Sequence, residues 1–281
     1  MSSQLVRLNK FLAERLGVSR READRLISEG KISINGQVAN LGDRVNISDG
    51  QSQQLTHIDK SDKVCYNNKI VPEKAEYIYL AFHKPVGYVC SRHAQSNTPT
   101  LYEILPKKYH QLKTVGRLDK DSSGLILLTN DGDFAFSMTH PKFRKNKVYE
   151  VELDKPLAPL HQQMISDFGV KLEDGISKFT VIKDINNSQR SGLASPSSSG
   201  RVRPARRHGR PALILGLPAS GPPSKEVTQA RYVVILSEGR NRQIRRTFAA
   251  LGYKVTKLHR TGFGKYELGD LKPGKYVIIK P

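Results

Sequence analysis

The sequence predicts an α+β protein in two parts, because helical and strand patterns alternate along its 281 residues. Apolar residues at helical spacing mark two short helices within residues 7–30, and a hairpin pattern follows them. Beyond residue 76 short apolar strand patterns prevail, with helical patterns after residues 130 and 241. A chain of this length can form one large and one small domain without disulfide staples.

The chain is strongly basic, with 46 Lys and Arg against 26 Asp and Glu, and a formal charge of +20. Residues 186–281 account for +15 of this net charge. Such a potential attracts polyanions, and nucleic acid is the expected partner. A membrane surface is the rival partner. The sequence, however, has no long apolar run and no Lys-rich amphipathic helix with Trp or Phe anchors.

The first residues, MSSQLVRLNK, lack the apolar core of a secretory signal. With only two cysteines, Cys65 and Cys90, neither a disulfide framework nor a multi-cysteine zinc site is supported. The segment DGD at 131–133 resembles the start of a metal loop, but no further ligand follows at calcium or magnesium spacing. We therefore expect a soluble cytoplasmic protein without a metal site.

Residues 7–50 have the pattern of a compact helix-helix-hairpin module. Four apolar residues of the first predicted helix fall on one face: Leu8, Phe11, Leu12 and Leu16. Gly17 ends this helix, and Ser19 is a suitable N-cap for a second helix that ends at Gly30. Asn35 and Gly36 both tolerate positive φ and favour a tight hairpin turn.

The stretch RLNKFLAERLGVSRREADRLISEGKISINGQ resembles the small RNA-binding module named after the fourth protein of the small ribosomal subunit. A basic face formed by two packed helices can meet phosphates, although a merely solvated helical face is the alternative. The resemblance implies that the RNA-facing positions are Arg7, Lys10, Ser19, Arg20, Arg21, Lys31 and Asn35.

The domain layout follows from changes in composition. We assign residues 1–53 to the small module, 54–76 to a polar linker and 77–281 to a larger domain. Residues 186–229, rich in Ser, Pro, Gly and Arg, are predicted to be disordered or ordered only on RNA. Strand patterns on both sides of this segment predict an insertion within one domain.

Residues 116–133, GRLDKDSSGLILLTNDGD, are the most informative stretch of the larger domain. Asp119 lies between Arg117 and Lys120 in a turn-like segment, followed by a buried strand pattern at 125–128. Cationic neighbours favour the ionised carboxylate, and a rigid strand fixes its position. A catalytic carboxylate and an ordinary charged turn are both consistent with these residues alone.

Three further segments carry candidate functional residues. YIYLAFHKPVGYVCS predicts two strands interrupted by a turn at Lys84, Pro85 and Gly87. KVYEVEL alternates as a strand and places Tyr149 on its apolar side. EGRNRQIRRTFAALG predicts a helix with an apolar stripe, which leaves its arginines available for a carboxylate or for phosphates: Arg242, Arg245 and Arg246.

Together, HKPVGYVCS, GRLDKDSSGLILLTNDG, KVYEVEL and EGRNRQIRRTFAALG occur in the order found in ribosomal pseudouridine synthases of the small-subunit (RsuA) type, which the chain resembles. The resemblance implies a mixed, largely antiparallel sheet with flanking helices and an active cleft. It also implies cofactor-free isomerisation of a flipped-out uridine in ribosomal RNA. The insertion at 186–229 departs from a typical member.

By this resemblance Asp119 is the essential carboxylate, either adding covalently to the sugar or base or removing a ribose proton. Arg245 would form an ion pair with it, and Tyr149 would pack on the target base and could move the carbon-five proton. Arg117 would fill the gap left by the extruded nucleotide. Further RNA contacts are expected at Lys84, Arg242 and Arg246.

Two other functions are consistent with parts of the sequence. A non-enzymatic RNA-binding or ribosome-assembly factor would use the basic surface alone. A metal-dependent nuclease is less well supported because the sequence lacks clustered carboxylate or His ligands. The target uridine, its subunit and the substrate form, free RNA or an assembling particle, stay open, and a monomer is expected.

Overall fold

The structure is a computed structural model that describes residues 4–47, 61–72, 76–92, 97–183 and 230–281. Its contacts divide the chain into two compact units, residues 1–147 with 259–281 and residues 148–258. This division differs from the predicted layout, because it cuts the segment 77–281 and groups its ends with the small module. The insertion predicted at 186–229 lies outside the described residues.

The elements up to residue 146 include three α-helices: α1 Leu8–Arg15, α2 Arg20–Ser28 and α3 Gly132–Thr139. Short 3-10 helices lie at Leu101–Glu103, Lys107–Tyr109 and Pro141–Phe143. The strands are β1 Gln4–Arg7, β2 Ile32–Ile34, β3 Gln37–Val38, β4 Arg44–Ile47, β5 Val64–Tyr66, β6 Lys69–Ile70, β7 Tyr79–Lys84, β8 Lys113–Val115 and β9 Ser123–Thr129.

The elements from residue 147 onward include two helices, α4 Pro159–Gln163 and α5 Gln243–Ala250, and a π-helical turn at Met164–Phe168. The strands are β10 Lys147–Leu153, β11 Val170–Leu172, β12 Gly175–Ser177, β13 Thr180–Lys183, β14 Ala230–Leu236, β15 Val255–Phe263, β16 Tyr266–Glu267 and β17 Tyr276–Ile278. Each helix in the described part of the chain is too short or too polar to cross a lipid bilayer.

The helix-helix-hairpin module forms as its sequence pattern predicts. Its core includes Leu8, Phe11 and Leu12 from α1, and the Ser19 hydroxyl caps α2 by accepting a 3.0 Å hydrogen bond from the amide of residue 22. Asn35 has φ 51° in the turn between β2 and β3, as the hairpin prediction requires. One pattern that we did not predict is β1, which pairs antiparallel with β4.

The segment interpreted as a linker contains ordered structure. Strands β5 and β6 form a second hairpin, and β5 pairs antiparallel with β2, so that the order of this small sheet is β3-β2-β5-β6. Asn67 and Asn68 both have positive φ in the connecting turn. Residues 61–72 thus differ from the predicted linker, because their few apolar side chains, such as buried Val64, complete the core of the module.

In the first unit, β9 is the central strand of the larger sheet. It pairs antiparallel with β7 and β8 and parallel with the second half of β15, while β17 pairs with β7 and β16 with β15. Every residue of β9 after Ser123 is buried, as expected from its apolar pattern. Helix α3 is capped by Asp131, whose carboxylate accepts hydrogen bonds from two amides of the first turn.

One predicted strand does not form. The residues after Gly87 were expected to resume the strand of β7, but Val89 makes only an isolated bridge to Thr100. The turn before Val89 directs the chain away from the sheet, because the Gly87 amide donates to the Lys120 carbonyl oxygen at 2.8 Å. This segment therefore contacts the 116–122 loop instead of extending the sheet.

In the second unit, β13, β14, β10 and the first half of β15 follow one another in the sheet. The two strands that flank the predicted insertion, β13 and β14, pair antiparallel with each other. Glu152 of β10 is largely buried and forms salt bridges with Arg231 of β14, at 2.9 Å, and Lys257 of β15, at 3.3 Å. The predicted α+β class, with a mixed and largely antiparallel sheet, is confirmed.

Candidate active site

Asp119 lies in the loop 116–122 that connects β8 to β9 in the first unit. The loop begins at Gly116, whose φ of +72° suits glycine. Leu118 is buried and anchors the loop, Arg117 is exposed, and Asp119 is half-buried. Asp119 therefore lies at the boundary between the core and the surface.

Hydrogen bonds hold this loop at successive residues. The Leu118 amide donates to the Cys90 sulfur, and the Cys90 thiol donates back to the Leu118 carbonyl oxygen, both at 3.4 Å. The Ser122 amide donates to the Asp119 carbonyl oxygen at 3.1 Å, which closes a turn. Together with the Gly87 bond to Lys120, these contacts fix the backbone on both sides of Asp119.

Lys84 lies behind this loop and not on the surface. Its side chain is fully buried, and its ammonium donates to the carbonyl oxygens of Ser122, at 2.6 Å, and Pro85, at 3.0 Å. Both acceptors are backbone atoms of the protein. A buried ammonium that is bound in this way cannot contact a phosphate, so the expected RNA contact at Lys84 is corrected to an internal one.

Burial lowers the pKa of Lys84 to about 8. The negative charges of Asp119 and Asp121 act in the opposite direction, which places the lysine within electrostatic range of the Asp119 carboxylate. Burial also raises the pKa of the Cys90 thiol, which keeps it protonated. The first unit thus places a buried cation and a neutral thiol around the loop.

A second buried cation, Arg260, lies in register with Lys84. Gly124 pairs with Lys84 on one side and with Arg260 on the other, across β7, β9 and β15. Arg260 is 2% exposed, and its Nε donates to the Leu125 carbonyl oxygen at 2.7 Å. Gly124 has φ +109°, and a Cβ there would lie 2.2 Å from the Arg260 carbonyl oxygen, so glycine is required.

The other two predicted catalytic residues belong to the second unit. Tyr149 is 7% exposed on β10, and Val151 and Leu153 on the same side of the strand are buried, as the alternation predicts. Arg245 lies on α5 and donates from NH1 to the Val255 carbonyl oxygen at 2.9 Å. Their association with Asp119, which belongs to the first unit, stays a prediction.

The remaining arginines of α5 differ in their surroundings. Arg246 donates to an Asp174 carboxylate oxygen at 2.6 Å, and Arg240 forms a second salt bridge with the same aspartate at 3.2 Å. Arg242 has φ 47° as the N-cap residue of the helix and is exposed. To make the expected phosphate contact, Arg246 would have to exchange the Asp174 carboxylate for a phosphate.

The predicted RNA-facing residues of the module are exposed or half-buried. Lys10 lies 2.8 Å from an Asp133 oxygen, and Lys31 lies 2.6 Å from Glu29, whose hydrogen bond raises the pKa of Lys31. Such exposed salt bridges contribute little to stability, so phosphates can replace the carboxylates at small cost. The full set comprises Arg7, Lys10, Ser19, Arg20, Arg21, Lys31 and Asn35.

Two members of this set have structural roles that the resemblance did not indicate. The Ser19 hydroxyl caps α2. The Asn35 side chain accepts from the Lys63 amide and donates to an Asp62 oxygen, both at 2.8 Å, which ties the first hairpin to the second. Polar atoms with these internal partners are less available to RNA than exposed cations.

The roles of Lys84, Cys90 and Arg260 were missed by sequence reasoning. For Lys84 a signal was present, because it ends a strand of apolar residues and precedes a proline, where a solvated lysine is unusual. Cys90 and Arg260 gave no comparable signal. In the described ranges, no group of three or more His, Cys, Asp or Glu side chains is placed to hold a metal ion.

Comparison with known families agrees with this arrangement. Residues 78–250 match the RNA pseudouridylate synthase family, and residues 6–50 match the S4 domain. The chain therefore belongs to the RNA pseudouridylate synthase family, whose members isomerise uridine in RNA to pseudouridine. This confirms the resemblance stated from the four motifs and the amino-terminal module.

Individual relatives are similar over nearly the whole chain. Ribosomal small subunit pseudouridine synthase A of Pasteurella multocida (strain Pm70) is 31% identical over 274 residues, covering 96% of this chain and 94% of that protein. Ribosomal large subunit pseudouridine synthase B of Escherichia coli (strain K12) is 31% identical over 266 residues, covering 93% and 75%. A crystal structure of a pseudouridylate synthase aligns with a TM-score of 0.56 and 25% identity over 98% of this chain and 96% of that chain.

Proposed function

We propose that this enzyme converts a specific uridine of ribosomal RNA to pseudouridine, with Asp119 as the catalytic carboxylate. The observation that carries the proposal is the braced loop 116–122, which holds a half-buried aspartate above a buried lysine in a chain of this family. Ribosomal RNA is the proposed substrate because the relatives are named for both ribosomal subunits. The small module supplies a second basic surface for that RNA.

In the proposed reaction the uracil is detached from its ribose, rotated and rejoined through carbon five, so that atoms are conserved and no oxidant or reductant is needed. Asp119 either adds covalently to the sugar or base or removes a ribose proton, and both routes require an aspartate that is ionised and fixed. The backbone contacts of the loop provide the fixation. Lys84 provides a positive charge within electrostatic range.

The motif match supports roles for three more residues. Tyr149 is proposed to pack on the target base and to be a candidate for moving its carbon-five proton. Arg245 is proposed as the cation that pairs with the catalytic carboxylate. Arg117, exposed two residues before Asp119, is proposed to occupy the gap left by the extruded nucleotide, since a planar guanidinium can offset part of the lost stacking.

The sharpest test replaces Asp119 by asparagine, which keeps the size of the side chain and removes its charge. Pseudouridine formation on ribosomal RNA should be lost, with RNA affinity within about threefold of the wild type, because one neutralised charge is a small part of the phosphate-dominated binding. Asp121→Asn is the matched control, since Asp121 is exposed in the same turn. Substantial activity of Asp119→Asn would overturn the catalytic assignment.

Arg245→Ala tests whether this arginine serves chemistry or RNA binding. We expect lost turnover with RNA binding largely retained, because the proposed partner of Arg245 is the catalytic carboxylate and not a phosphate. Equal losses of turnover and binding would instead identify Arg245 as a phosphate contact. A wild-type protein that binds ribosomal RNA but forms no pseudouridine would favour the assembly-factor function.

The identity of the target can be determined in cells. Mapping of pseudouridines in ribosomal RNA with and without this protein should show a site that depends on it, in either subunit. Comparing free RNA with isolated assembly intermediates as substrates then identifies the physiological form. We further propose that the enzyme acts as a cytoplasmic monomer, and sedimentation at working concentration tests the monomer.

A further inference from the structure

An exposed cluster of aromatic rings lies at the end of α3 and has no role in the proposed reaction. Phe136 is 46% exposed and Phe143 is 40% exposed, and their centroids are 5.8 Å apart in an edge-to-face arrangement. The ring of His140 lies 4.6 Å from that of Phe136. Large apolar side chains that remain exposed together mark interaction surfaces more often than isolated ones do. We call these rings with Lys142 the aromatic patch.

The aromatic patch is preorganised by its own backbone. The Phe143 amide donates to the His140 carbonyl oxygen at 3.1 Å, and the Lys142 amide donates to the His140 Nδ1 at 3.3 Å. Arg144 ends the short helix in the left-handed conformation, with φ 45°. The backbone that carries His140 and Phe143 is thus fixed before any partner binds, which lowers the entropy cost of binding.

The charge of the surroundings indicates the kind of partner. The Lys142 ammonium lies 5.2 Å from the centroid of Phe136 and 4.7 Å from that of Phe143. The segment 139–147, THPKFRKNK, contains four Lys or Arg residues and no acidic residue. Aromatic rings interleaved with cations suit single-stranded nucleic acid, because bases stack on rings while cations meet phosphates. An apolar protein partner would not require this charge.

The position of the patch connects it to the catalytic loop. Thr139, which directly precedes His140, borders Gly116, since a Cβ on that glycine would lie 3.7 Å from the Thr139 methyl group. Gly116 is three residues from Asp119 in the same loop. An RNA strand that extends from a nucleotide bound at Asp119 can therefore pass over the patch.

We propose that the aromatic patch stacks unpaired nucleotides that flank the target uridine, an inference that rests on the proposed function. Duplex RNA would not use it, because paired bases already stack on each other and do not expose their faces. Phe136 and Phe143 act as positioning residues for the substrate and take no part in the chemistry. Binding of unpaired RNA at this place would set which loop of the RNA is accepted.

The chain contains no tryptophan, so a single introduced indole reports on its own surroundings. We would replace Phe143 by tryptophan in the full chain and titrate it with oligouridylate of about 12 nucleotides, within the known range of site sizes. Stacking should quench the tryptophan fluorescence. Phe168→Trp is the control, because Phe168 is 72% exposed outside the patch. Its fluorescence should change little.

Affinity gives a second readout. The double variant Phe136→Ala, Phe143→Ala should bind the single strand roughly tenfold more weakly for each base that no longer stacks on a phenylalanine ring. Its affinity for an RNA duplex of the same length should stay unchanged. Lys142→Gln should reduce the slope of log affinity against log salt by about 0.7. Thermal unfolding midpoints close to that of the wild type confirm that the variants fold.

The results separate the patch proposal from the proposed function. Quenching in Phe143→Trp, together with a selective loss of single-strand affinity in the alanine variant, supports the patch even if the wild type forms no pseudouridine. Equal quenching of Phe143→Trp and Phe168→Trp overturns it. Unchanged single-strand affinity in the alanine variant also overturns it, and in that case catalysis by Asp119 is unaffected. Binding of a ribosomal protein without RNA would point to a protein surface and reject the proposal.

Discussion

Because Lys84 is buried behind the catalytic loop, the free energy of unfolding should depend on pH with a sign and magnitude that can be worked out. Lys84 has its pKa lowered from 10.5 to about 8 in the folded state because its charge is buried. The unfolded chain therefore binds more protons than the folded one between these two values, and stability rises with pH across that window. At neutral pH the charged lysine costs about 3 kcal/mol of folding free energy.

Lys84→Met removes the charge and keeps a long, flexible side chain. The variant recovers about 3 kcal/mol at pH 7, but it leaves the buried Ser122 carbonyl oxygen without its 2.6 Å donor, which costs about 1–3 kcal/mol. It should therefore be about as stable as the wild type at pH 7. At pH 10 the neutral wild-type amine still donates, so the wild type should gain about 2–3 kcal/mol relative to the variant.

Urea denaturation of both proteins at pH 7, 8, 9 and 10 measures this difference, and other titrating groups cancel in the comparison. Lys120→Met, in the same loop but exposed, is the control for the loss of a surface lysine. A difference between wild type and Lys84→Met that stays constant within about 0.5 kcal/mol over this range would refute the reasoning. Turnover of Lys84→Met should fall by roughly a hundredfold if its loop shifts by about 1 Å.

Three further predictions test the fold and the RNA surface. Gly124→Ala should lose about 3 kcal/mol or more of stability in urea denaturation, because its Cβ would collide with the neighbouring backbone at positive φ. Gly132→Ala is the control, because an added Cβ there meets no neighbouring group within 4 Å and causes no such collision. Ser19→Ala should cost about 1 kcal/mol through the lost cap of α2, measured the same way. Replacing Arg20 and Arg21, both exposed, by alanine should weaken RNA binding and reduce its salt slope by about 1–2, and an unchanged slope would contradict their role as phosphate contacts.

Local patterns predicted the elements that are defined by capping residues and apolar periodicity. Apolar spacing predicted α1, the N-cap residue Ser19 predicted the start of α2, and Asn35 predicted the first hairpin turn. The alternation around Tyr149 likewise predicted β10. In these cases capping and periodicity act within a few residues, so tertiary contacts did not override them.

Long-range pairings were outside the reach of such patterns. Strands β5 and β6 are short and partly polar. Strand β5 pairs with β2, about 30 residues earlier, and β6 pairs with β5. The segment after Gly87 has the apolar pattern of a strand, yet its neighbour is the 116–122 loop. In both cases the outcome depends on which distant segment lies beside the strand, and local sequence patterns do not identify that segment.

The same limit applies to the catalytic environment. The sequence identifies Asp119 as a carboxylate between cations, but Lys84 and Arg260 are two of 46 basic residues, 176 positions apart. Only the register of three strands, in which both pair with Gly124, makes them a buried positive row at the end of β9 next to the Asp119 loop. Lys84 donates to the carbonyl oxygens of Ser122 and Pro85, and Arg260 donates to that of Leu125. Lys84 lies within electrostatic range of Asp119 in this loop, which is a reason to retain a costly buried cation where an apolar residue could fill the same space.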